Sequence, residues 1–250
     1  MKTTQNKMLK NFKNITHFFS TRDSGVSKPP YNSLNLAFHV GDNSLDVEKN
    51  HQLLAVSLGY EKQNLIHMKQ IHSSIVHIVS DDDNFENPQS CDALVTNRRD
   101  TPLMVMVADC SPILFYDSVR DVIAVAHAGR QGVFKNIVRN VIDSMSHNFY
   151  SIAEDIYVTV GASIGVCCYE VGVEIFAEAQ KLQLEYALKK KGKSYYLDIS
   201  KILELQLLES GIKKENLEIS KECSCCKNNT YFSYRADGIT GRFCGVIYLN

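Results

Sequence analysis

Three short apolar runs in the middle of the chain constrain its fold more than any other feature. They are Leu103–Ala108, Ile113–Tyr116 and Val122–Ala126, and none of them contains a charged residue. Continuous apolar character over so few residues is typical of strands that are covered on both faces. Ile156–Val160 and Val246–Leu249 have the same character. The sequence therefore predicts a buried sheet.

Between these runs, apolar residues at helical spacing predict helices that cover the sheet. One apolar stripe covers Val133–Met145, and Glu174–Lys190 is predicted to be a second, longer helix. A third helix is predicted to begin after Asp198, a residue type that caps helix N-termini, and to end before Gly211. No linker or repeat divides the chain. We therefore predict one layered α/β (α+β) domain over residues 1–250, with a mixed sheet covered by helices.

Charge and cysteine content narrow the classes of function. The chain has 250 residues, 44% hydrophobic and 22% charged, and a net charge of −1, which gives no general attraction to nucleic acid or to an anionic membrane. It lacks a secretion signal and a segment that could span a bilayer, so we expect a cytoplasmic protein. In that reducing compartment its eight cysteines are expected to pack, bind metal or react, and not to form disulfides.

The segment Ala108–Gly132 holds two residues that can bind one metal ion together. The polar run Asp117–Asp121 separates two strand-like runs and predicts a hairpin. If the turn centres on Ser118–Val119, Cys110 lies directly opposite His127, with Cβ atoms about 5 Å apart. A thiolate and an imidazole at that separation can share zinc. On this segment alone, a buried structural histidine is an equally good interpretation of His127.

His72 is the third predicted ligand. It alternates with Gln70 between apolar residue pairs, so both side chains are expected on one face of the chain. Taken alone, this pattern favours a structural role. Ligands of His, Cys and His type would leave tetrahedral zinc with an open position for water or substrate, which is typical of a catalytic site.

Two other groups of residues lie outside this trio. The cysteines of Cys167-Cys168 and Cys223-Ser224-Cys225-Cys226 are predicted to shape or line a pocket and not to bind a second metal, because no second C-x-x-C motif completes a zinc ribbon. Arg235 and Arg242 lie among small and turn-forming residues. Arginines in such a setting either bind phosphate or carboxylate in bidentate fashion or form surface ion pairs.

Taken together, these segments resemble the YfiH-type laccase-domain family. Its members were labelled multicopper polyphenol oxidases and are described as zinc-dependent purine nucleoside phosphorylases. Each motif is weak alone, and their number and order carry the resemblance, which runs almost from end to end. The motifs are Phe19-Ser20-Thr21-Arg22, Gly25-Val26-Ser27, Ser33-Leu34-Asn35-Leu36, His39-Val40-Gly41-Asp42, Gln70-x-His72, Cys91-Asp92-Ala93, Ala108-Asp109-Cys110, His127-Ala128-Gly129, Gly165-x-Cys167-Cys168-Tyr169-Glu170-Val171-Gly172 and Phe232–Arg242.

The resemblance implies a YfiH/CNF1-like fold and a zinc ion bound by His72, Cys110 and His127, with purine nucleosides and phosphate as small-molecule partners. The implied reaction is phosphorolysis of adenosine, inosine or guanosine to free base and ribose 1-phosphate. Cleavage of S-methyl-5′-thioadenosine and deamination of adenosine are also implied. We expect Asp109 to act as a proton carrier or to support a metal ligand. The residues expected to hold phosphate, ribose or base are Arg22, Asn35, Gln70, Arg235 and Arg242.

One motif departs from the family pattern, and it affects which reaction is expected. The family reads H-A-G-W-R-G, whereas this chain reads H-A-G-R-Q-G, with Arg130 in place of tryptophan and Gln131 in place of arginine. Loss of a phosphate-binding arginine would favour deamination over phosphorolysis, unless Arg130 takes its place. Three other functions remain open: a copper-dependent phenol oxidase, a non-catalytic or accessory protein that binds a cell-wall precursor or a partner, and a cysteine hydrolase that uses Cys110 with His127 as base.

Overall fold

Two β-sheets pack face to face in the computed structural model, which describes residues 3–4 and 7–250. In chain order the strands are β1 (Thr3–Thr4), β2 (Ile15–Ser20), β3 (Met68–Lys69), β4 (Val76–Ile78), β5 (Gln89–Ser90), β6 (Ala93–Thr96), β7 (Leu103–Val107), β8 (Ser111–Asp117), β9 (Val122–Ala128), β10 (Ile156–Val160), β11 (Glu170–Val171), β12 (Leu188–Lys191), β13 (Ser194–Leu197), β14 (Leu217–Ile219) and β15 (Phe243–Leu249). The α-helices are α1 (Ser44–Leu58), α2 (Arg130–Phe134), α3 (Ile137–Phe149), α4 (Val173–Lys181), α5 (Ile199–Glu209) and α6 (Tyr234–Asp237). Short 3-10 helices cover Leu9–Asn11, Phe38–Val40, Lys62–Asn64, Ala153–Asp155, Glu185–Ala187 and Lys214–Asn216.

The larger of the two packed sheets has the strand order β14-β10-β8-β9-β6-β4 and is mixed, as predicted. Its outer pairs, β10 with β14 and β4 with β6, are parallel, and the inner pairs are antiparallel. The second sheet has the order β1-β2-β15-β7 and is antiparallel throughout. Two further small sheets, β11-β13-β12 and β3-β5, lie beside them.

Alternating side chains bury both faces of each large sheet. In β8, Ile113 and Phe115 pack against α3 and α5, while Leu114 and Tyr116 pack against the four-stranded sheet. On the other side of that second sheet, residues such as Met104 of β7 pack against α1. The result is four layers, in the order helices, sheet, sheet, helix. Continuous apolar strands follow from this arrangement, because strands with two covered faces have no solvent-facing positions.

Several predicted elements are confirmed. Strand β10 has the predicted bounds, and the runs at 103–108, 113–116, 122–126 and 246–249 all contain strands. The side chain of Asp198 accepts a hydrogen bond from the Lys201 N–H at the start of α5. Gly211 has φ of +94°, a left-handed conformation that follows the helix end and suits glycine. None of the helices in the described part of the chain is long and apolar enough to cross a membrane. One domain over residues 1–250 stays a prediction.

The predicted hairpin register is wrong by two residues. Asp117 pairs with Val122 and not with Arg120, so four residues form the loop between β8 and β9. The Asp117 carboxylate causes this, because its Oδ1 accepts hydrogen bonds from the Val119 and Arg120 N–H groups and closes the turn. His127 therefore pairs with Pro112 and not with Cys110. A shift of two keeps every side chain on its predicted face.

The predicted helix Glu174–Lys190 is also wrong in its second half. Helix α4 ends at Lys181, and a two-residue turn at Gly192-Lys193 then joins β12 to β13. Gly192 has φ of +60°, which glycine adopts without steric cost. The hairpin overrides the helical preference of the lysine-rich segment, because pairing with β13 supplies its backbone hydrogen bonds.

Substitution of Phe115 tests whether the helices cover one face of the six-stranded sheet as a packed core. The Phe115 side chain is fully buried against the layer of α3 and α5. The Phe115→Ala variant is expected to lose about 3–5 kcal/mol of unfolding free energy, because the cavity left in a packed core cannot collapse fully. Denaturant titration measures the loss. Val119→Ala, in the exposed hairpin loop, is the control and should change stability by less than about 0.5 kcal/mol.

Candidate metal centre

The three predicted ligands meet at one point. His72 lies in a turn after β3, Cys110 directly precedes β8, and His127 is near the end of β9. One donor atom from each lies within 4.8 Å of the other two. The Cys110 Sγ is 3.9 Å from the His72 Nε2, and the two imidazole rings stand at 83° to each other with centroids 4.8 Å apart. These separations suit a small metal ion bound between the three donors.

A buried carboxylate, that of Asp92, holds both histidines in place. Its Oδ1 lies 2.8 Å from the His127 Nδ1, and the same oxygen accepts the His72 backbone N–H at 3.1 Å. The other oxygen accepts the Ser73 N–H and hydroxyl and the Ile71 N–H. Because Nδ1 donates to the carboxylate, the Nε2 lone pair of His127 is available for a metal. This carboxylate–histidine arrangement orients ligands in many metalloenzymes.

The electrostatics of the trio favour the ionised forms. Burial alone would raise the pKa of Cys110, but the adjacent His127 and His72 more than offset it and lower the pKa to about 6. Burial would lower the pKa of His127, whereas the Cys110 thiolate and Asp92 raise it to about 9. Burial also opposes ionisation of Asp92, yet hydrogen bonds from His127 and Ser73 bring its pKa down to about 2. The thiolate that a metal requires is therefore present at neutral pH.

Gly129 leaves the space that the donor atoms occupy. A Cβ at this position would lie 2.9 Å from the His72 Cδ2 and 3.1 Å from the Cys110 Sγ. Both distances are shorter than ordinary van der Waals contact. The backbone after β9 can turn into α2 this close to the ligands only because residue 129 has no side chain.

The trio opens into a cavity of about 950 Å³, within the range of roughly 300–1,000 Å³ typical of small-molecule sites. Aromatic rings line much of it, namely those of Phe38, Phe85, Tyr169 and Tyr234. Cationic side chains line it as well, namely those of Lys69, Arg130, Arg235 and Arg242. A flat ring with an anionic partner is the kind of ligand that such a lining accommodates.

Only some of the predicted substrate residues reach this cavity. Gln70, Arg235 and Arg242 line it, whereas Arg22 and Asn35 do not. The Asn35 amide is fully buried and bonds to Ala37, Asp42 and the Arg242 N–H. The Arg22 guanidinium lies over the Phe232 ring and donates to the carbonyls of Asn32 and Asn228. The structure thus brings these two residues to the loops that support the cavity, and not to its surface.

Gln70 and Asp109 line the cavity, but their polar groups are already engaged. Both ends of the Gln70 amide bond to the backbone of Met106. The Asp109 carboxylate accepts hydrogen bonds from the hydroxyls of Ser224 and Ser233 and from the Arg235 N–H. Asp109 has φ of +90°, so this carboxylate network also fixes an unusual backbone turn beside Cys110.

Sequence reasoning did not assign a role to several residues that shape the site. Asp92, Gly129, Tyr169 and His39 belong to motifs that carry the family resemblance, but their types alone did not reveal their contacts. Burial and the nearby Arg242 charge lower the pKa of His39, which lines the cavity. The signal that the sequence offered for Asp92 was its position directly after a cysteine and before a strand.

The donor set fits zinc. One thiolate and two imidazoles are borderline-soft donors that zinc prefers, and three protein ligands leave a position for a substrate or water. Copper accepts the same donor types. Multicopper chemistry, however, needs several histidine-rich sites, and in the part of the chain that the structure describes the only other group of three or more candidate ligands consists of cysteines.

Comparisons with known proteins agree with the fold and identify the family of the chain. A family model described as multi-copper polyphenol oxidoreductase laccase matches residues 16–250. The purine nucleoside phosphorylase YlmD of Bacillus subtilis is 31% identical over 248 residues, which cover 95% of this chain and 89% of the relative. A purine nucleoside phosphorylase of Corynebacterium glutamicum is 36% identical over 237 residues, which cover 94% of each chain. The crystal structure of the Bacillus licheniformis hypothetical protein YfiH matches with a TM-score of 0.92 at 30% identity, covering 97% of this chain and 96% of that one.

Asp92→Asn tests the role of the buried carboxylate. The amide no longer accepts the His127 Nδ1–H as a charged partner, so we expect zinc affinity to fall roughly tenfold to hundredfold. Competition with a chromophoric chelator measures the affinity. Asp83→Asn removes a second aspartate–histidine pair, to His77 at 2.7 Å, outside the site, and should leave zinc binding unchanged. Equal affinities in the two variants would contradict the assignment.

The lowered pKa of Cys110 predicts how the alkylation rate of its thiol depends on pH in the metal-free protein. A thiol with a pKa of about 6 is ionised above that pH and protonated below it. The rate of Cys110 alkylation by iodoacetamide, followed by peptide mass spectrometry, should therefore reach half its maximum near pH 6. In denaturant the midpoint should return to about 8.5, the value of an isolated thiol. Added zinc should block the reaction; a midpoint above pH 8 in the folded protein would contradict the ion pair.

Proposed function

The chain belongs to the family described as multi-copper polyphenol oxidoreductase laccase, and on that premise we propose that it is a zinc-dependent purine nucleoside phosphorylase. The proposal rests on one observation: the His72, Cys110 and His127 side chains lie together in the wall of a cavity that is also lined by aromatic rings and guanidinium groups. The relatives named purine nucleoside phosphorylase support the class of reaction.

The His72 Nε2, the Cys110 Sγ and the His127 Nε2 would hold the metal. A bound zinc ion supplies Lewis-acid chemistry, which polarises a substrate atom or activates water near neutral pH. Asp92 retains the proton on the His127 Nδ1 and keeps the ring oriented. The thiolate of Cys110 lowers the net charge of the centre, and Gly129 keeps the donors uncrowded.

Phosphate is bound by arginines of the cavity wall. Arg242 donates from one terminal nitrogen to the carbonyls of Thr240 and Gly241, which fixes the guanidinium and presents its other N–H groups to a ligand. Arg130 lines the cavity, whereas Gln131 is exposed and does not. Arg130, which also pairs with the Glu178 carboxylate, therefore supplies a guanidinium next to the altered motif, and phosphorolysis is the main reaction that we assign.

The reaction breaks the C1′–N9 bond of the nucleoside and forms a bond from C1′ to a phosphate oxygen. The base departs with the bonding electron pair and takes up a proton, and ribose 1-phosphate remains. Arginines that hold phosphate against C1′ contribute by proximity and by balancing charge. Aromatic side chains such as Tyr169 provide a stacking face for the purine.

Asp109 is assigned a positioning role in this scheme. Its two oxygens accept three hydrogen bonds, so it orients Arg235 and the turn that carries Cys110. This favours support of the site over transfer of a proton. Arg235 itself donates to the carbonyls of Cys168 and Glu170, which fixes its guanidinium on the cavity wall and leaves three of its five N–H groups for a ligand.

Adenosine, inosine, guanosine and S-methyl-5′-thioadenosine are the substrates that we propose, together with deamination of adenosine as a second activity. Deamination replaces the amino group at C6 with oxygen from water and releases ammonia. The open coordination position that a three-ligand site leaves supports this activity. The proposed compartment is the cytoplasm, where thiol ligands stay reduced.

Product analysis with adenosine tests the proposal. With phosphate, adenine and ribose 1-phosphate should form, and without phosphate only inosine and ammonia. His72→Ala should abolish both reactions, together with zinc binding at the trio. Arg242→Ala should raise the KM for phosphate roughly tenfold to hundredfold, because it loses charged hydrogen bonds, but should leave deamination unchanged.

Arg139→Ala is the matched control, because this half-exposed arginine of α3 pairs only with Asp143 among the contacts described. Its phosphate KM should equal that of the unmodified chain. A protein that binds several copper ions, oxidises phenols and leaves nucleosides intact would refute the proposal.

A further inference from the structure

Four cysteines from two loops form a cluster outside the metal centre. Cys167 and Cys168 lie in the turn before β11, and Cys223 and Cys226 lie in the turn after β14. Their sulfur atoms all lie within 4.8 Å of one another. The Cys226 Sγ is 3.5 Å from that of Cys167 and 3.3 Å from that of Cys168. The cysteines were predicted to shape or line a pocket, and none of the four lines the cavity itself.

Ordinary packing does not explain this cluster. A cysteine that acts as a small hydrophobic residue is normally buried, as Cys91 and Cys244 are at 1% and 0% exposure. In contrast, Cys167 and Cys226 are exposed, and Cys168 and Cys223 are only half-buried. Four thiols gathered at the surface gain little from the hydrophobic effect.

The separations match a tetrahedral metal site. Zinc–sulfur bonds of about 2.3 Å place the four sulfurs of such a site about 3.8 Å apart. The sulfurs here are close to that spacing before any adjustment. We propose that Cys167, Cys168, Cys223 and Cys226 bind a second zinc ion, in a closed structural site distinct from the catalytic one.

The surrounding backbone is built to hold a thiolate cluster. The Gly165 N–H donates to the Cys223 Sγ at 3.2 Å, a contact that stabilises negative charge on sulfur. A Cβ on Gly165 would come within 3.2 Å of the Cys167 Sγ. The two loops are also joined by hydrogen bonds from the Ser163 N–H to Glu222 and from the Ser224 N–H to Ser163. These contacts place the four sulfurs together without the metal.

Zinc at this position would fasten one wall of the catalytic cavity. Tyr169 follows Cys168 directly and lines the cavity. Arg235 donates to the Cys168 carbonyl, and Ser224, between two of the cysteines, donates to Asp109. The ion therefore cross-links the loops that present Tyr169 and Arg235 and that orient Asp109, and it contributes no reacting group.

Zinc counting on purified protein tests the second site. The unmodified chain should hold two zinc ions, and the Cys168→Ser, Cys226→Ser double variant should hold one. Cys225→Ser is the matched control: it lies in the same turn outside the four-cysteine group, and it should keep both ions. Hydrogen exchange in segments 163–171 and 222–235 should become faster in the double variant, while exchange in α3 should not.

X-ray absorption on the Cys110→Ser variant identifies the ligands without disturbing the cluster. Its single remaining zinc should show four sulfur neighbours at about 2.3 Å. This outcome stands even if the nucleoside activity fails, because the two sites share no ligand. Nitrogen or oxygen neighbours, a Cys110→Ser chain without zinc, or a Cys168–Cys226 disulfide found by mass spectrometry would overturn the proposal, and each result is independent of how the double variant folds.

Discussion

The hydrogen bonds to the buried carboxylate of Asp92 are the interactions on which the candidate metal centre depends. The Asp92 side chain is fully buried, and it accepts hydrogen bonds from the 71–73 turn and from the His127 ring. A buried anion without such partners would cost several kcal/mol, so the folded chain must keep both segments in contact with it. The same contacts place two imidazoles from distant parts of the sequence around one point. The electrostatic requirement of one residue thus defines the geometry of the site.

The six-stranded sheet brings these segments to Asp92. Strand β6 begins directly after Asp92 and pairs with β9, which places the aspartate next to His127. On its other side, β6 pairs with β4, so the turn that precedes β4 also reaches the carboxylate. Strand β8 adds Cys110 from the opposite side of β9. A loop alone would not hold three donors so closely, whereas a sheet fixed on both faces does.

Local patterns in the sequence predicted the elements, but contacts between distant segments determined the details. Continuous apolar runs identified β7 to β10, and Asp198 identified the start of α5, because those signals lie within a few residues. The hairpin register depended on the Asp117 side chain closing its own turn, and the end of α4 depended on pairing between β12 and β13. The ligand trio followed from motifs. The hydrogen-bond partners of Asp92 and the contact between Cys168 and Cys226 could not be predicted from motifs, because each joins residues that are far apart in the sequence.

The position of β15 has a consequence for how the protein is made. This strand lies in the middle of the four-stranded sheet, between β2 and β7, yet it is synthesised long after both. During translation, β2 and β7 therefore expose apolar faces and unpaired edges until β15 has been synthesised. Unpaired edges of this kind recruit other chains. The sheet therefore exposes edges at which other chains could pair until β15 has taken its place between β2 and β7.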